Sequence, residues 1–76
     1  MLDTEKLQKE ILSLCEGKIT IDTINIESSF RYNHDENSMY SVFVHRKFGT
    51  AFLIHCHMKL ENPHDELIKQ LKEKLK

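Results

Sequence analysis

The run His55-Cys56-His57 is the densest group of metal-ligating side chains in the chain. On an extended strand, residues i and i+2 point the same way and i+1 points the other. His55 and His57 could therefore grip one ion while Cys56 turns away. A site of useful affinity needs three or four ligands. The hairpin register derived from the turn residues puts His45 on the same face, but four residues along from the position opposite His55. At about 3.4 Å per residue that is roughly 13 Å, too far for a mononuclear site. A third ligand would have to come from a second subunit. The pair is a weak metal motif, and no cofactor is expected.

Nucleophilic catalysis would need Cys15 or Cys56 beside a histidine and an orienting group. Both cysteines fall on apolar faces and read as small buried hydrophobes. They are two isolated thiols without CxxC spacing, which is no disulfide framework. No glycine-rich phosphate loop, paired-carboxylate pattern or GxSxG is present. The chain is expected not to be an enzyme.

Two short basic segments carry aromatics: Arg31-Tyr32 and His45-Arg46-Lys47-Phe48. A basic tip with an exposed aromatic can stack on a base, so these five residues, Arg31, Tyr32, Arg46, Lys47 and Phe48, form an alternative, nucleic-acid reading. Eleven Lys/Arg against twelve Asp/Glu give a net charge of −1, which is a poor field for a phosphate backbone. His34 and His64 read as solvent-exposed.

These residues are held by five elements. Asp3 or Thr4 can cap a helix over about residues 4 to 16, whose stripe is Leu7, Ile11 and Leu14, widened by Leu12 and Cys15. Gly17 suits the left-handed position past its end. Residues 18 to 32 are rich in β-branched and aromatic types and read as a strand. Its alternation changes phase: Ile19 and Ile21 share one face, Ile24, Ile26 and Phe30 the other. Either a bulge near Asp22-Thr23 resets the register, or both faces meet apolar partners.

A polar loop over 33–37 follows. Residues 38–46 and 50–60 then flank Lys47-Phe48-Gly49, a three-residue hairpin loop with glycine last. That turn pairs Val44 with Phe52, Val42 with Ile54 and Tyr40 with Cys56 on a core face that continues to Met58 and Leu60. Asn62 caps a last helix that opens with Pro63, and Leu67, Ile68, Leu71 and Leu75 form its stripe. The expected fold is α+β: a two-layer sandwich, α-β-β-β-α, with a three-stranded antiparallel meander and both helices on one face.

The 76 residues make one small domain, with two glycines and one proline. A chain this short buries only about 60% of the surface its unfolded form exposes. No run reaches the roughly 18 apolar residues of a membrane span, and the first residues lack the pattern of a signal peptide. The expected location is cytoplasmic.

With both helices on one side, the other sheet face has no cover from this chain. It carries Met39, Phe43, His45, Leu53, His55 and His57, joined by Ile19 and Ile21 if the first strand has no bulge. Such an apolar patch is rarely left bare on a small monomer. The expected function is a small non-enzymatic interaction module, a homodimer or an inhibitor-type accessory protein that docks through this face.

Overall fold

The computed structural model describes residues 2–29 and 38–76. Helix α1 spans Thr4–Cys15, and Asp3 caps it by accepting the Lys6 N–H at 3.1 Å. The chain leaves the helix through Gly17, whose φ of 78° only glycine adopts without strain. The Lys18 and Ile19 amides both return to the Cys15 carbonyl, at 3.0 and 3.1 Å.

Three antiparallel strands follow, β1 (Ile21–Ser29), β2 (Met39–Arg46) and β3 (Phe52–His57), in the order β1-β2-β3. The β2–β3 register matches the one the turn chemistry dictates at all six pairs, from Met39 opposite His57 to Val44 opposite Phe52. Gly49 closes that hairpin at φ 112°. A side chain there would meet the Arg46 guanidinium at 2.8 Å. That guanidinium donates from Nε to the Thr50 carbonyl at 2.6 Å and from Nη2 to Thr50 Oγ1 at 3.1 Å.

Helix α2 spans Pro63–Lys74, with Pro63 in its first turn. Asn62 stands at the cap position, but its side chain donates to Asp65 Oδ2 at 2.7 Å instead of accepting a backbone amide. Leu7, Ile11 and Cys15 of α1 and Leu67, Ile68 and Leu71 of α2 bury against Val42, Val44, Ile54 and Cys56 of the sheet. Both helices therefore lie on one face, and the fold is the expected α-β-β-β-α sandwich.

One open alternative is decided and three expectations change. The register shifts between Ile21 and Thr23, leaving Asp22 as the extra residue of a bulge. Ile19 and Ile21 consequently pack against the core and do not join the helix-free face. Leu12 does not widen the α1 stripe. It is 47% exposed, because Leu7, Ile11 and Cys15 at i, i+4, i+8 take the buried line and Leu14 is half-buried. Finally, β3 ends at His57, so Leu60 falls in a turn and is exposed. Phe30, Arg31, Tyr32, His34 and the loop 33–37 lie outside the described residues.

Candidate interaction surface

Alternation along each strand fixes the helix-free face. The bulge holds β1 in phase, so Ile24 and Ile26 stand beside Val44 and Val42 on the core side. Thr23, Asn25 and Glu27 thereby turn to the open side. β2 contributes Met39, Ser41, Phe43 and His45; β3 contributes Leu53, His55 and His57. The strands bring all six described outer-face candidates together, with Phe43 and Leu53 as a direct cross-strand pair at the centre. Leu53 is 48% exposed, while Phe43, Met39 and His45 are half-buried by their neighbours alone. The His45 ring lies nearly parallel to Phe43, at a centroid distance of 6.4 Å and an angle of 16°. One end of the face thus carries two near-parallel rings, bounded by Thr23 and Asn25.

His55 and His57 are exposed on this face, and the buried Cys56 points the other way. Among the described residues, no three His, Cys, Asp or Glu side chains converge as a metal site would require. Cys56 donates weakly to the Pro63 carbonyl, 3.8 Å from its Sγ. Burial pushes its thiol above the ordinary value of 9.0, and the Glu66 carboxylate adds to the shift. Burial raises Cys15 as well, partly offset by the positive charge of Lys18. Neither thiol has the depressed pKa of a reactive cysteine.

The hairpin tip divides the basic candidates. Arg46 is turned back on its own hairpin, bonded to Thr50 and stacked 4.6 Å over the Phe52 ring. Lys47 and Phe48 are exposed, Phe48 to 77%. The turn after α1 brings Lys18 beside Arg46 and Phe48 across a shallow groove of about 470 Å³.

Two contacts were not legible in the residue pattern. His64 pairs with Glu10 across the two helices, so His64 is tied to α1 instead of standing free in solvent. Gln70 of α2 reaches over the edge of β3 and holds the backbone of His55 twice. Its Nε2 donates to the His55 carbonyl at 2.7 Å, and its Oε1 accepts the His55 N–H at 3.1 Å. The only hint in the sequence is a lone amide among the charged residues of the last helix, four residues after Glu66, to which it also donates.

No helix among the described residues is long and apolar enough to cross a membrane. No protein-family model, curated protein or solved structure matches this chain.

Proposed function

We propose that the chain is a small non-enzymatic interaction module that docks a second copy of itself on the helix-free face of the sheet. One observation carries the reading: Phe43 and Leu53 form an apolar cross-strand pair at the centre of a face that neither helix covers. Met39 and His45 extend the patch along β2, and the hydroxyl and amide side chains of β1 rim it. An apolar centre with a polar rim is the anatomy of protein interfaces. Two flat sheets stack about 10 Å apart with their inner side chains interdigitated. A dimer of this kind would place the helices outside and the sheets inside, adding core to a domain too small to build much of its own. The buried, pKa-raised thiols support the non-enzymatic part of the reading.

The test is Leu53→Asp, which sets a carboxylate at the centre of the face without touching the core. In sedimentation equilibrium, the wild-type mass should exceed that of the variant, with identical circular dichroism. Equal masses overturn the reading. A salt-sensitive gel shift lost on Lys47→Ala, with no such mass difference, would replace it by nucleic-acid binding at the hairpin tip.

A further inference from the structure

The sheet has two edges, and the fold treats them differently. The amide of Met58 donates to the Ser38 carbonyl at 2.9 Å, which fixes the even-numbered residues of β2 as those bonded to β3. The backbone groups of His55 then point outward from β3, and there the Gln70 side chain closes them. Two residues on, the His57 carbonyl accepts from the Leu60 amide at 3.3 Å. This edge is blocked against another strand.

On the other side, the odd-numbered residues of β1 bond to β2, so Ile24, Ile26 and Ser28 turn their N–H and C=O groups outward. Among the described residues no hydrogen bond meets those groups. The edge also has apolar flanks: Ile24 and Ile26 are half-buried, and the exposed Leu12 of α1 shares with Ile21 and Ile24 a groove of about 380 Å³. Natural sheets usually blunt such an edge with charge, proline, a bulge or a covering element, and here the bulge at Asp22 is confined to one end of β1. Residues 21–29 contain neither lysine nor proline.

We infer that β1 pairs antiparallel with β1 of a second copy, joining two three-stranded sheets into one of six. The sequence of the strand selects both the partner and the register. Centred on Asn25, the pairing sets Ile24 of each copy against Ile26 of the other, extending the core side across the joint. On the open face, Thr23 meets Glu27. The Glu27 carboxylate faces a hydroxyl donor and not another carboxylate. Sliding the partner by two residues sets Ile24 against Ser28, or Ile26 against Asp22. A two-fold axis through Asn25 makes the contact self-complementary and closed. The pairing stands independently of what covers the sheet face.

The register predicts that the two Asn25 residues form a non-hydrogen-bonded pair, with Cα atoms about 4.5 Å apart, within disulfide range. Asn25 is exposed, so substitution leaves the monomer intact, and the buried native thiols do not compete. Asn25→Cys under mild oxidation should therefore form a disulfide-linked dimer. Thr23→Cys and Glu27→Cys should not cross-link alone but should do so when mixed. Equal cross-linking of all three alone, or of none, overturns the pairing. Light scattering separates this edge from the face contact. Leu53→Asp alone should keep twice the 9.0 kDa chain mass, and adding Asn25→Asp should bring it to 9.0 kDa. A mass of 9.0 kDa for Leu53→Asp alone overturns the edge pairing.

Discussion

At the scale of single residues, the chemistry that first draws the eye is dispersed by the strand itself. His55 and His57 share a face, and Cys56 between them is driven into the core by the same two-residue period. The thiols act as packing groups with a pH consequence. Burial raises both pKa values, so in the folded state they stay protonated past the pH at which the unfolded chain begins to ionise. Between those two values the unfolded state binds fewer protons, and stability falls as pH rises. The urea midpoint should therefore decline from about pH 9 upward. That decline should flatten in a Cys15→Ala, Cys56→Ala variant, after allowing for its lower starting stability. A midpoint equally steep in the variant would refute the assignment. Below pH 9 the thiols should make no such contribution.

At the scale of elements, Gln70 ties α2 to the edge of β3 by two bonds to one residue. Replacing it with alanine should raise the hydrogen-exchange rate of the His55 amide about tenfold, the equivalent of one net hydrogen bond. Amides facing β2, such as Ile54, should change little. An unchanged His55 rate would show that the clasp carries no protection. This contact was hidden because a lone glutamine on a helix declares no partner, and its target lies in another element. The hairpin was legible because two independent signals agree: glycine at the last loop position and the alternation from Val42 to Val44 and from Phe52 to Cys56. The bulge was only half legible. The phase change from Ile21 to Ile24 announces it, yet a strand buried on both faces would read the same way. The register shift between Ile21 and Thr23, with Ile19 and Ile21 packed against the core, decides between them. Leu12 shows the limit from the other direction, since a helical stripe leaves its marginal members to whichever neighbour is near.

At the scale of the whole molecule, two helices and three strands make two layers, and only one of the sheet's two faces is used. The candidate surface was legible as a set of residues, because alternation assigns faces once the register is known. The ring arrangement at one end was not, because the stacking of His45 on Phe43 depends on side-chain angles that no spacing encodes. On the proposed reading, a second copy covers this face in solution. Hydroxyl-radical footprinting across a dilution series tests it most directly, with the exposed Phe48 at the hairpin tip as the internal reference. Labelling of Met39, Phe43 and Leu53 should be suppressed at high concentration and rise on dilution relative to Phe48. Labelling of those three residues that keeps a constant ratio to Phe48 at every concentration would contradict it.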